Sequence, residues 1–235
     1  LGVDVRVGHA ADNLGDVTFV TRSTAVPDGN PECREAVERG LPLLSRAEVL
    51  GAVSTLRNTV AVAGTHGKTT TSSMLALVLR EAGFRPSFVI GGDVNEIGTG
   101  AAWDEGDLFV VEADESDSSF LKLSSRFGVV TNLEPDHLER HGGFQPLVDA
   151  FDRFVDAVDG PVVVGSDDPE GAALAARHAA ETVGTADGAD WLISAVEESW
   201  EGVRFRLTGS VGESLEITLP VPGLHNARNA ATAAA

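Results

Sequence analysis

Apolar and polar positions change rhythm along the chain, and the changes mark its elements. From residue 60 onward short β-rich runs alternate with longer segments of helical period. The runs are VAVAG (60–64), SFVIGG (87–92), DLFVVEAD (107–114), FGVVTN (127–132) and PVVVG (161–165), and the helical segments fall near 68–82, 144–158 and 169–180. Alternation of this kind predicts a mainly parallel sheet with helices on both faces. After residue 184 the rhythm becomes that of hairpins. DWLISAVEES (190–199), GVRFRLTG (202–209) and LEITLPV (215–221) predict an antiparallel extension, followed by a final helix at HNARNAATAAA (225–235).

The first 57 residues form a separate α/β stretch. GVDVRVGH (2–9) and DVTFVT (16–21) read as strands, PECREAVERG (31–40) as a helix opened by Pro and closed by Gly, and 41–56 as a strand followed by a second helix. A polar RNT junction leads into the run at 60.

The composition narrows the function classes. With 235 residues, 43% of them hydrophobic, the chain is long enough for one large core or two smaller ones. Its 36 acidic and 17 basic residues give a formal charge of −19, which argues against a nucleic-acid partner because backbone binding draws on a Lys/Arg surplus. An anionic ligand must therefore be held locally, by amide dipoles, a lysine or metal ions. The single cysteine, Cys33, excludes a disulfide within the chain and is expected to be a packing residue. No uninterrupted apolar stretch reaches 18 residues and no signal peptide is visible, so a cytoplasmic protein without a membrane span is expected. The absent initiator Met and the unfinished Ala-rich helix at the end suggest a piece of a longer protein.

The candidate chemistry begins at GTHGKTTT (64–71). The usual phosphate-loop pattern places its first glycine five positions before the Gly of Gly-Lys-Thr, which here is Val62; the glycine stands at Gly64 instead. The mechanics survive this departure. A tight turn between a strand and a helix starting near Lys68 still aims backbone N–H groups at an anion. Lys68 can reach β and γ phosphates, and the Thr69 hydroxyl is placed for Mg²⁺.

Two further strands end on polar residues. LFVVEADESD (108–117) closes on Glu112, Asp114, Glu115 and Asp117, either a solvated acidic turn or a set in which Glu112 completes a Mg²⁺ shell with Thr69. VVTNLEPDHLERHG (129–142) brings His137 after Asp136. On chemistry alone His137 stays unassigned, because imidazole is an uncommon Mg²⁺ ligand.

Taken together, GTHGKTTT, EADESD, TNLEPDH and HNARNA resemble the Mur ligases in order and spacing, with EADESD pointing to the alanine-adding branch. The resemblance implies that residues 1–57 are the C-terminal part of a Rossmann-like domain that binds a UDP substrate. Residues 58–235 would be the central ATP-binding domain. It implies ATP and Mg²⁺ as cofactors, and L-alanine and UDP-N-acetylmuramate as substrates joined through an acyl phosphate. Gly64, Thr65, His66, Gly67, Lys68, Thr69 and Thr70 would hold ATP phosphates, and Thr69 with Glu112 one Mg²⁺. His137 would hold a second Mg²⁺, so that Lys68, Glu112 and His137 form the catalytic set. Asn226 and Asn229 would lie on the adenine side, where helix capping is the plain alternative. Asp114, Ser116 and Asp117 are candidate substrate contacts. A peptide-recycling ligase of the same family is the nearest rival. A P-loop switch would want an Asn-Lys-x-Asp guanine motif, and the sequence has none.

Overall fold

The computed structural model describes residues 3–94, 97–114, 119–136 and 138–235. The chain divides into two compact units, Leu1–Val53 and Ser54–Ala235. The first contains β1 (Val20–Arg22), α1 (Pro31–Glu38), β2 (Leu43–Ser45) and most of α2 (Arg46–Ser54), with β1 and β2 paired in parallel. Asn30 opens α1 by accepting the N–H groups of Glu32 and Cys33, with Pro31 in the first turn where its missing N–H costs nothing. The expected strand at 2–9 is absent from the described residues 3–9. Alternating valines only signal a strand that has a neighbour to pair with, and Val3, Val5 and Val7 stay exposed. Of the run at 16–21, only its end joins β1.

The second unit is built on β3 (Asn58–Ala63), α3 (Lys68–Glu81), β4 (Ser87–Val94), β5 (Thr99–Ala102), β6 (Leu108–Glu112) and β7 (Phe127–Val130). A short helix, α4 (Leu138–His141), precedes α5 (Phe144–Asp156), β8 (Val162–Gly165), α6 (Pro169–His178) and β9 (Glu181–Gly184). The hairpin strands β10 (Trp191–Ser199), β11 (Gly202–Gly209) and β12 (Ser214–Leu219) lead into α7 (Leu224–Ala234). All these strands form one ten-stranded sheet in the order β12-β11-β10-β9-β8-β7-β3-β6-β4-β5. Pairing is parallel from β10 through β4 and antiparallel at both ends. The four-residue strands β5 and β9 were not expected from the sequence.

Burial follows the sequence rhythm. The continuous apolar runs of β3, β6 and β7 are covered on both faces, whereas β11 alternates and β12 is an exposed edge. From β3 the chain moves to β4 and β6 on one side, then crosses to β7, β8 and β9 on the other. Right-handed crossovers in opposite directions place α3 and the α5–α6 pair on opposite faces. The switch point is the gap between β3 and β7, where open parallel sheets bind ligands beyond the carboxyl ends of the strands. Helix α7 packs on α3 and on β10 and β11, with Ala227, Ala230 and Ala231 against Val183, Ile193, Phe205 and Leu207.

Under α5, Phe120 stacks on Phe154 (centroids 5.3 Å) and meets Phe151 edge-on (5.5 Å). The Phe120 amide also bonds the Asp114 carbonyl, so this ring anchors the segment that leaves β6. Phe120→Ala should lower stability by about 3–5 kcal/mol in urea unfolding, as truncation of a fully buried ring does. Trp200→Ala, at a side chain 86% exposed, should change it by less than about 0.5 kcal/mol.

Candidate active site

The loop 64–67 leaves β3 at the switch point and is fastened to the segment after β7. Thr65 N–H donates to the Asn132 carbonyl (3.1 Å), and the Thr65 hydroxyl donates to Glu134 O (3.2 Å) while accepting Glu134 N–H (3.0 Å). The Asn132 side chain matches both backbone groups of His66, accepting its N–H (2.8 Å) and donating to its carbonyl (3.0 Å). Thr131 Oγ1 donates to the same carbonyl (2.5 Å).

Two glycines allow this close approach. Gly64 has φ 136°, and a Cβ there would stand 2.0 Å from Thr131 Oγ1. Gly67, at φ 81°, caps α3, and its Cβ would stand 2.4 Å from Asn229 Oδ1 on α7. The first turn of α3 thus presents its N–H groups at the edge of the sheet, with their partial positive charge directed into the crevice.

Lys68 opens α3 and curls back over the loop, its ammonium 2.7 Å from Gly64 O and 3.3 Å from Thr65 O. One residue on, Thr69 Oγ1 lies 3.0 Å from both carboxylate oxygens of Glu112. Glu112 ends β6, the strand beside β3, and its Oε2 also accepts Gly91 N–H from β4 (2.7 Å). A carboxylate held on two sides beside a hydroxyl is an oxygen donor pair of the kind Mg²⁺ takes.

On the β7 side of the loop lies a cleft of about 430 Å³, lined among others by His66, Gly67, Asn132, Asp167, Arg228 and Asn229. Thr70 also faces it. Asp168 caps α6 through Gly171 N–H (2.7 Å) and accepts Leu133 N–H (3.2 Å). Burial pushes its carboxyl above the ordinary aspartate value, and the charge of Glu134 adds to this, outweighing the amides that favour the anion.

Similarity to known proteins agrees with this geometry. Residues 62–235 match the Mur ligase middle domain, and residues 1–57 match the model described as Mur ligase family, catalytic domain. The chain belongs to the Mur ligase family. It is 46% identical over 241 residues to the UDP-N-acetylmuramate–L-alanine ligase of Thermobifida fusca, an alignment covering all of this chain and 51% of that protein. The solved structure of a UDP-N-acetylmuramate–alanine ligase from Thermotoga maritima superposes with TM-score 0.83 at 29% identity, covering 97% of this chain and 52% of that one. A Neisseria meningitides UDP-N-acetylmuramate:L-alanyl-gamma-D-glutamyl-meso-diaminopimelate ligase gives 0.82 at 27%, covering 99% and 78%. The chain spans about half the length of the curated relatives it matches.

Within this Mur ligase fold, residues 64–70, Glu112 and Asn229 come together around the switch point. Asp114 lies two residues beyond the end of β6. Asn226 does not line the cleft; its amide donates to Pro222 O (2.7 Å) and holds the turn before α7. His137, Ser116 and Asp117 lie outside the described residues. Asn132, Asp167, Asp168 and Arg228 were not singled out from the sequence. Their only local signals were a polar residue after an apolar strand and an Asp-Asp-Pro helix start.

Asn132→Ala should cost about 0.5–1.5 kcal/mol, the net worth of hydrogen bonds to the solvent-exposed backbone groups of His66, and Asn132→Asp should recover only part of it because a carboxylate accepts the His66 N–H but cannot donate to His66 O. Chemical denaturation of the three proteins checks both. Asp168 should also leave a pH signature. A folded-state pKa above the unfolded value contributes stability below the unfolded pKa and loses it as pH rises through the folded one. The stability difference between wild type and Asp168→Asn should therefore move against wild type as pH rises through the acidic range, read by denaturant titrations at several pH values.

Proposed function

We propose that this chain supplies the ATP-handling core of a ligase that joins L-alanine to the carboxylate of UDP-N-acetylmuramate, in the cytoplasm, for peptidoglycan precursor synthesis. The observation that carries the phosphoryl chemistry is the junction of Lys68, Thr69 and Glu112 at the carboxyl ends of two adjacent strands. The substrate assignment is supported by relatives 42–46% identical across the chain, all named for that reaction. We assign residues 1–57 to the UDP-substrate domain and 58–235 to the ATP domain.

The loop amides and the α3 N-terminus bind and orient the triphosphate, and Lys68 neutralises charge that develops as the γ-phosphoryl moves to the carboxylate oxygen. Thr69 and Glu112 would hold Mg²⁺, with His137 the candidate ligand of a second ion. When bound, the metal supplies charge neutralisation on the phosphate oxygens. Transfer to the carboxylate yields an acyl phosphate, whose carbonyl the alanine amine attacks, expelling phosphate and leaving an amide. Gly91 N–H and Thr69 keep the Glu112 carboxylate aimed at the crevice throughout. Asp114, Ser116 and Asp117 are candidate contacts to the acceptor.

One observation favours a second reading, ligation of a recovered peptide instead of alanine: the Neisseria structure superposes almost as closely as the Thermotoga one. ADP release by a protein extended to the length of the relatives, given UDP-N-acetylmuramate with L-alanine or with a tripeptide, separates them. Stimulation by alanine is expected; stimulation by the tripeptide alone would overturn the assignment.

In the extended enzyme Lys68→Ala should reduce turnover at least about 10²-fold with the fold intact, the scale of removing one preorganised electrostatic stabiliser. The 235-residue chain itself should bind ATP weakly and only with Mg²⁺, and form no amide. Calorimetric titration with and without the metal reads this.

A further inference from the structure

Arg228 stands one residue before Asn229 on α7 and lines the cleft, yet it bonds only along one edge. Its Nε–H donates to Asp167 Oδ2 across 2.5 Å, and its two terminal amino groups make no hydrogen bond or ion pair among the described residues. The Arg228 side chain is 44% exposed and lines the cleft, so its outer donors are open to a ligand there.

The partner is itself fixed. Asp167, with a side chain 14% exposed, accepts the N–H (2.7 Å) and the hydroxyl (2.9 Å) of Thr185 through Oδ1, leaving Oδ2 for Arg228. One carboxylate therefore ties the β8–α6 turn, the segment after β9 and helix α7 together. A surface ion pair between two mobile chains contributes little, but here one member is held by two other donors, so the arginine docks on a preset anchor.

Position along the cleft selects the part of the ligand. The phosphate loop follows β3, whereas Asp167 follows β8, two strands away across β7. At about 4.8 Å per strand this sets the Arg228 anchor roughly 10 Å from the loop, too far for the phosphates it cradles and suited to the other end of a nucleotide. The wall there adds Val183, Gly165 and Thr232, a small and largely apolar surface fit for a flat ring. A planar guanidinium stacks flat on such rings and holds its outer donors toward their edge acceptors, a geometry that the compact point charge of an ammonium does not reproduce.

We propose that Arg228 is the residue that recognises the purine base of the nucleotide, and that Asp167 is the positioning residue that holds its guanidinium against the base. The inference rests on the reading of this cleft as a nucleotide site. It assigns the base end to a pair that neither the phosphate loop nor the Asn226 and Asn229 pair includes.

The test compares two ligands on the 235-residue chain by calorimetry: Mg-ATP, and Mg-tripolyphosphate, which carries the phosphates without base or sugar. Arg228→Ala should weaken Mg-ATP roughly three- to thirtyfold, the range of one cation–π contact, and leave tripolyphosphate within twofold. Arg228→Lys should remain weak, and Asp167→Ala should show the same split more mildly, with melting temperatures reporting that each variant is folded. Lys68→Ala should weaken both ligands. Equal loss of both ligands in Arg228→Ala, or no loss of either, overturns the role of Arg228 while leaving the nucleotide site standing. Wild-type chain that binds neither ligand, or binds ATP no better than tripolyphosphate, overturns the nucleotide reading and this inference with it.

Discussion

The site depends on a backbone fastening: the amide of Asn132 holds both the N–H and the carbonyl of His66, as a neighbouring strand would. A loop of four residues with two glycines has high backbone freedom. Left alone it would not keep its amides aligned. Because β3 and β7 are neighbours, the segment after β7 runs beside the loop and replaces the sheet ladder just where that ladder stops. Thr65 and Thr131 reinforce the same seam, and the absence of a side chain at Gly64 lets it close. The positions of Lys68 and Thr69 follow from this seam, since both ride on the helix that the loop begins.

Electrostatically the molecule works against its own ligand. A chain of charge −19 repels anions at long range, but the Debye length in physiological salt is about 8 Å, so a ligand within the crevice feels mainly its immediate neighbours. Those neighbours are arranged in two layers. The cationic layer is the α3 N-terminus with Lys68. Behind it Glu112, gripped by Thr69 and Gly91, offers a negative charge suited to a bridging cation instead of to phosphate itself. The acidic surface disfavours unaccompanied anions, in keeping with the metal proposed at Thr69 and Glu112.

The sequence made the β3–loop–α3 unit plain because its signals are local: an apolar run, glycines, then Lys-Thr-Thr with helical period. The antiparallel extension was equally plain, since every second position of β11 is buried and those between are more open. Strands β5 and β9 escaped because four residues containing a glycine carry too little pattern to stand out, and tertiary pairing creates them. The reverse error at 2–9 has the same origin, a pattern without a partner. The cleft wall was illegible for a different reason. Asp167 and Arg228 are 61 positions apart, and nothing in either neighbourhood announces the other. Asn226, by contrast, sits in a motif clear enough to name, and its amide donates to Pro222 O in the turn before α7.

Helix α7 reaches the loop only after the chain has moved out through β10, β11 and β12 to the edge of the sheet and turned back across it, so that Asn229 approaches Gly67 from the far end of the sequence. This is a contact of high order, whose closure entropy is met only once the intervening strands are in register. During synthesis the phosphate loop emerges early and waits. The α7 wall is synthesised after every strand of the sheet, so the cleft gains that side only once the chain has been translated through α7.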